Sequence, residues 1–439
     1  MATEKTEAPR GADQRRRRHW FKLDNAAILF PTFASGTIST LFRLSMTLDE
    51  PIRLSTLEAA LERVHPCFPY FNVELHAGAF WYYFETISRP PRVMADSKYP
   101  CMNLRFRDRG RYLFRVRAYD RRVAVEFSHI LTDGTGASIF LKSLVAEYLR
   151  LRGALIAEDP TIFRPGRVPE DEEFEDAFKR YCDPSLPWPE KEKVAFHIPA
   201  RLERRGVYHV VGASMPLAPL LALARERRVS LTEFLAAVQV AALQDLWEAL
   251  PERSRRRKPA LLKLMVPINL RKAFPSRTMR NFSLFALPGI DRRLGHHEFE
   301  EIVREVHHSM RLQGTPREVA RQITRNVTST RNALVRAMPL FLKILGGRAL
   351  YKRFGELLYS SCLTNLGALE LPEGMRERVT RADFVSAPAP LTGTNCAMLS
   401  LGDRVYLSFA RLARESELER LFFTRLRRMG IPVKLESND

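Results

Sequence analysis

The segment EFSHILTDGTGASIF (residues 126–140) joins two different periodicities. Upstream, Val123, Val125 and Phe127 alternate with Ala124, Glu126 and Ser128, the period of two that suits a half-buried strand. Downstream, Ile139, Phe140, Leu144, Val145, Tyr148 and Leu149 fall at helical spacing. His129 therefore lies at a strand-to-helix junction, where scaffolds present chemistry but also make ordinary connections. Asp133 and Gly134 follow four and five residues on, and Gly134 with Gly136 is expected to give the turn conformational freedom. Among the ten histidines only His129 has Asp-Gly in this register, a match expected by chance roughly 0.03 times in a chain of ordinary composition.

Working outward, LFRLSMTLDE (41–50) reads as a strand, followed by a helix from about Ser55 with Leu57, Ala60, Leu61 and Val64 on one face. FPYFNVEL and FWYYFET read as aromatic strands joined by HAGA, and LFRVRAYD with RVAVEFSHI as a second pair turning at Asp120-Arg121. Composition changes after Gly153: residues 154–204 turn acidic and then proline-rich, which suits a crossover between two halves. The second half opens with the strand VYHVVGASMP and a helix through LAPLLALARERR. A further helix is announced by Ser230 and Glu233 at capping-box spacing. LLKLMVPINL (261–270) is a buried strand, helices are expected from about Glu298 to His308 and over 319–345, and RVYLSFAR precedes a final helix. The order strand, helix, strands, helix occurs in each half. It predicts an α/β (α+β) architecture of two facing sandwiches, residues 20–153 and 205–439, behind a flexible basic tail over 1–19.

The chain has 439 residues, 45% of them hydrophobic, enough to bury a core and to exclude global disorder. No apolar run approaches bilayer-spanning length, since MPLFLKILGGRAL from Met338 is too short and carries a lysine and an arginine. The N-terminus lacks the apolar core of a signal peptide, so a cytoplasmic protein is expected. Five scattered cysteines, none in a C-x-x-C pair, argue against a disulfide framework and a cysteine zinc site. His297, Glu301 and His308 share one helical face on paper, yet a solvated face is the expectation and no metal is predicted. The aromatic run Phe80, Trp81, Tyr82 and Tyr83 reads as core before it reads as a pocket wall. The net charge is +20, from 70 Lys plus Arg against 50 Asp plus Glu, but the basic residues are spread along the chain. No nucleic-acid-binding motif accompanies them, so a solvated basic surface, or one attracting a polyphosphorylated small molecule, is preferred to dedicated nucleic-acid binding.

The pattern H-x-x-x-D-G resembles that of the CoA-dependent acyltransferase superfamily, which spans chloramphenicol acetyltransferase-like enzymes and peptide-synthetase condensation domains. WFKLDNAAILFP (20–31), HPCFPYFNVEL with FWYYFE, NLRKAFPSRTMRNF (269–282) and TNLGALELP (364–372) are similar, in that order, to the microbial alcohol acetyltransferase-like branch. The resemblance covers the chain from Trp20. It implies two chloramphenicol acetyltransferase-like subdomains, each a mixed sheet covered by helices, with an active-site tunnel between them. His129 would then be the general base of a direct acyl transfer, most simply from acetyl-CoA as co-substrate to a small-molecule alcohol. Asp133 would be structural, pairing with Arg271 or, as second choice, Arg43, while Gly134 clears space. Thr364, Asn365 and Asn281 are the oxyanion candidates, and Arg271, Lys272, Arg277 and Arg280 the candidate contacts to CoA phosphates. The DFGWG motif of plant enzymes is absent, and Ser128 stands where condensation domains carry a first histidine of a pair. A free-standing monomer using soluble acyl-CoA is therefore expected. The alternatives are a condensation-type enzyme fed by a carrier-bound thioester and a non-catalytic relative that binds acyl-CoA or lipid.

Overall fold

The alternating stretches assemble into three sheets in a computed structural model that describes residues 20–34, 38–102, 104, 110–204, 206–354 and 356–438. The tail expected over 1–19 lies outside the described residues. The five-stranded sheet runs in the order Val379–Ser386, Leu41–Leu48, Arg122–Ser128, Phe114–Tyr119, Val93–Ala95. It is antiparallel except at its last pair, so the sheet is mixed. Asp120 turns the hairpin between its third and fourth strands from the left-handed region, at φ 48°. A three-stranded sheet sets Trp20–Lys22 and Val73–Ala77 on either side of Tyr82–Thr86. The expected strand FPYFNVEL is thus shorter. Phe68 to Phe71 form a turn closed by the Phe71 amide on the Phe68 carbonyl at 2.9 Å, because both rings are wanted in the core, stacked 5.6 Å apart.

Helices Leu54–Val64 and Gly134–Leu151 cover the five-stranded sheet and bury Leu57, Leu61, Phe140 and Leu144 in one core, with Phe140 packed on Phe114 and Phe127. The second half is organised by an eight-stranded mixed sheet. Its central strands Ser361–Ala368, Thr394–Leu401 and Arg404–Arg411 have apolar residues on both faces. Ala397, Leu399 and Tyr406 enter the first core, and Cys396, Met398, Val405 and Leu407 the second. Helices Leu231–Glu248, Phe299–Gln313 and Glu417–Arg428 close that second core. The capping box forms at the first of these, with Ser230 N donating to Glu233 Oε2 at 2.6 Å and Glu233 N to Ser230 Oγ at 3.3 Å.

Two expectations are revised, and one strand pairs across the expected division. Strand Val379–Ser386 lies in the C-terminal stretch, yet it forms the edge of the five-stranded sheet, with Phe384 opposite Leu44. A division at residues 153 and 205 therefore does not keep it with its own half, because local alternation says nothing about which distant edge a strand joins. The helix expected over 319–345 breaks into Pro316–Arg331, Ala333–Ala337 and Leu340–Phe354. Asn332 caps the middle piece by accepting from Leu334 N at 2.9 Å, and Pro339 lacks the amide that would carry the helix onward. His297 precedes helix Phe299–Gln313 instead of lying on it, so His297, Glu301 and His308 do not share a helical face.

The borrowed edge strand makes the halves mutually dependent. Phe384 is buried and meets the Phe42 ring edge-on at 6.3 Å. Phe384→Ala is expected to cost about 3 kcal/mol and to lower a single thermal transition seen alike by near- and far-UV circular dichroism. Two separated transitions would show that the strand does not couple the halves.

Candidate active site

His129 follows directly on strand Arg122–Ser128. Its backbone is held from both sides: the amide donates to Thr40 O at 2.8 Å, and the carbonyl accepts from Asn281 Nδ2 at 2.9 Å. The imidazole sits between two phenylalanines, 5.4 Å from the Phe30 ring at 17° and 4.5 Å from the Phe42 ring at 35°. Burial pushes its pKa below the ordinary 6.5. The charge of Asp133 and hydrogen bonding to Asn281 and the Thr132 backbone oppose that shift without overcoming it. The ring is therefore neutral at pH 7, the form that accepts a proton.

Asp133 is the N-cap of helix Gly134–Leu151. Its Oδ1 accepts from Thr135 N at 3.1 Å and Gly136 N at 3.4 Å, satisfying two amides of the helix's first turn. Its Oδ2 accepts from Arg271 Nη1 and Phe282 N, both at 2.8 Å. Arg271 also donates through Nη2 to Thr278 O at 2.9 Å and Arg280 O at 2.7 Å. Thr132 adds a hydroxyl bond to Met279 O at 2.6 Å. The turn after His129 is thus laced to the segment 269–282 from the other half. Neither Gly134 nor Gly136 has left-handed backbone, so freedom of φ is not what the turn requires. A Cβ at Gly134 would meet only the Leu366 Cδ1 methyl, at 2.9 Å, whereas at Gly136 it would run into Thr132 Oγ1 and, at 2.7 Å, the Met279 carbonyl. Close approach is therefore demanded at Gly136.

The remaining candidates separate by geometry. Arg43 is held by Asp96, at 2.6 Å through each guanidinium nitrogen, and by Glu126 at 3.3 Å, and so serves the five-stranded sheet instead of Asp133. Asn281 spends its amide on Asp24 Oδ2 at 3.1 Å and on the His129 carbonyl, which makes it a positioning group and removes it as an oxyanion donor. Arg280 is buried, donates to Lys22 O at 2.9 Å and faces Asp24 and Asp176. With Arg271 tied to Asp133, two of the four expected phosphate contacts are interior, and only Lys272 and Arg277 are exposed. Leu363 is buried in the second core, whereas Leu366 packs on the first, so strand alternation turns Thr364 toward the first half with Leu366. Asn365 turns the other way and donates to Thr232 Oγ1 at 2.8 Å.

Asp24, Phe30 and Phe42 were not picked out by sequence spacing. Asp24 lies inside the quoted stretch WFKLDNAAILFP, but its inward orientation depends on Asn281, which is remote in sequence. Burial first and Asp176 second push its carboxyl up to about 7, against the pull of Arg280. Four cysteines are buried, and burial raises their thiols, Cys362 to about 12, so none of the four offers a ready thiolate. Among the described residues no group of three or more His, Cys, Asp or Glu side chains is placed to hold a metal ion.

Two facing α/β halves make up the fold shared by CoA-dependent acyltransferases and condensation domains, and this chain has that fold. It is similar to the starter condensation domain of rhizomide synthetase RzmA, solved with C8-CoA, at 12% identity over 95% of each chain with a TM-score of 0.57. It is also similar to TRI3 trichothecene 15-O-acetyltransferase from Fusarium sporotrichioides, at 11% identity over 93% of this chain and 94% of that one, TM-score 0.56. The epimerization domain from the third module of tyrocidine synthetase B gives 9% identity over 90% of each, TM-score 0.56. No family model and no curated protein sequence matches the chain.

Because Asp133 and Arg271 are both largely shielded from solvent, removing one leaves the other buried without its charge partner. Arg271→Gln should lose about 3 kcal/mol in urea unfolding, and Arg277→Gln on the surface should change nothing measurable. Equal midpoints for the two variants would refute the strap.

Proposed function

We propose that the protein is an acyl-CoA-dependent O-acyltransferase, in its simplest form transferring acetyl from acetyl-CoA to an alcohol, with His129 as general base. The observation that carries this reading is a half-buried imidazole, ringed by Phe30 and Phe42, at the seam where Leu366 of one half reaches Gly134 of the other. The acceptor hydroxyl gives its proton to the imidazole as its oxygen attacks the thioester carbon. The tetrahedral oxyanion then collapses, the C–S bond breaks, and the imidazolium returns the proton to the departing thiolate. No acyl-enzyme is required, in keeping with the raised thiols. Thr364, on the strand face turned toward His129's half, is the oxyanion donor in this reading. Asp133 and Arg271 hold the turn, and Lys272 and Arg277 remain for the CoA phosphates, within a chain whose +20 charge attracts such a donor. The likeness to an O-acetyltransferase and to a domain solved with an acyl-CoA supports the class.

A carrier-bound acyl donor is the second reading, favoured by the likeness to condensation domains. The two are separated by offering the purified protein acyl-CoAs or acyl-phosphopantetheinyl carrier proteins with a panel of alcohols and amines, and following free thiol. Acceptor-dependent thiol release from acyl-CoA that disappears in His129→Ala supports the first reading. Release from the carrier thioester alone supports the second, and release from neither overturns both.

The lowered pKa of His129 sets the sign of the pH dependence. The base form persists below the ordinary 6.5, so the acid limb of kcat/KM should be centred below pH 6.5, where the imidazole protonates. An acid limb centred above 6.5 would contradict this environment for His129. Thr364→Val should lower kcat by about 100-fold with KM little changed, the signature of a donor engaged in the transition state.

A further inference from the structure

The first two turns of helix Leu340–Phe354 carry large apolar side chains on both sides, Leu340 and Ile344 inward and others outward. Its inner side carries a cation: Lys343 is buried, donates to Phe80 O at 2.8 Å and stands 3.4 Å above the Trp81 ring. Beside it, Leu340 N donates to Ala79 O at 2.9 Å, and Gly347 lies so close to Thr32 that a Cβ there would come within 2.8 Å of Thr32 Cβ. The outer side presents Phe341, Leu342 and Leu345, which are 63%, 43% and 71% exposed, and the preceding turn adds Leu334 at 80%. Phe80 extends the patch on the hairpin that the helix docks against. Large apolar side chains clustered outside a buried lysine mark an interaction face.

Charge identifies what that face meets. From residue 319 to residue 355 the sequence has no Asp or Glu, and Arg331 and Arg336 are exposed next to Leu334. We propose that this face docks in the interface of an anionic lipid membrane, its apolar side chains entering the acyl boundary and its arginines meeting lipid phosphates. No single described helix is long and apolar enough to cross a membrane, so the helix lies along the surface. Residues 1–19 contain no Leu, Ile, Val, Phe or Trp and supply no apolar segment to cover it. The position has a consequence for substrate. The helix packs on the short helix Phe30–Phe33, whose Phe30 ring stacks on His129. A lipophilic acceptor drawn from the bilayer would arrive one side chain from the imidazole. This last step rests on the acyltransferase reading, whereas docking does not.

The test is flotation of the full chain with phosphatidylcholine–phosphatidylglycerol vesicles and with phosphatidylcholine alone. Wild type and His129→Ala should both float with the anionic vesicles and less with the neutral ones, so binding is read independently of catalysis. The double variant Phe341→Ser/Leu345→Ser should bind about tenfold more weakly with an unchanged melting temperature, and Arg331→Gln/Arg336→Gln should lose the anionic preference. Failure of wild type to float, or equal flotation of the serine variant, overturns the proposal. So does a wild-type dimer that the serine variant converts to monomer, which would assign the face to a second copy of this chain.

Discussion

The carboxylate of Asp133 divides its oxygens between two parts of the molecule. One satisfies the first turn of its own helix, and the other takes a guanidinium and a backbone amide from the segment 269–282. A buried carboxylate is tolerated only when its charge and lone pairs are all met, so the site forms only when both halves are in place. The same segment reaches the turn at Thr132 through Met279, at His129 through Asn281 and at Thr135 through the Asn269 side chain, 3.2 Å away. Together these contacts fix the turn in a direction that neither half would impose alone.

This arrangement changes the meaning of the basic segment NLRKAFPSRTMRNF. As a string it is a cluster of cations suited to phosphates. In the fold, Arg271 and Arg280 are counter-charges for Asp133, Asp24 and Asp176, and hydrogen bonding to carbonyls consumes much of what remains. The cations left outside sit at Lys272 and Arg277, the latter already beside Glu170. Net charge thus overstates how much positive potential the seam can offer a ligand, because part of it is spent in holding the seam shut.

Features legible in the sequence were those written into short range. The hairpin ending at His129, the cap at Ser230 and the helix after Gly134 follow from alternation, capping spacing and helical period. The histidine turn was legible because three residues sit at fixed offsets. Other features depended on residues far apart. The edge strand Val379–Ser386 pairs with Leu41–Leu48 across more than three hundred residues, and Asp24 acquires its place from Asn281, 257 residues away. The phenylalanines enclosing His129 are two of 27 in the chain, and no local pattern distinguishes Phe30 and Phe42 from those that fill the core.

The helix beginning at Gly134 also limits where an oxyanion can be held. A helix N-terminus ordinarily offers free amides and a partial positive charge to an anion. Here Asp133 has already occupied the amides of Thr135 and Gly136, and its own charge is met by Arg271. A developing negative charge close to His129 would find those two amides already taken. In the proposed reaction the compensating donor must therefore come from across the seam. On that side strand Ser361–Ala368 pairs with Leu261–Asn269 only at Ser361 and Cys362, so its later residues are not bound in ladder pairs to that neighbour. In that proposed reaction the carboxylate that fixes His129 in place thereby leaves charge stabilisation to the opposite half, and transfer would require the two halves to meet.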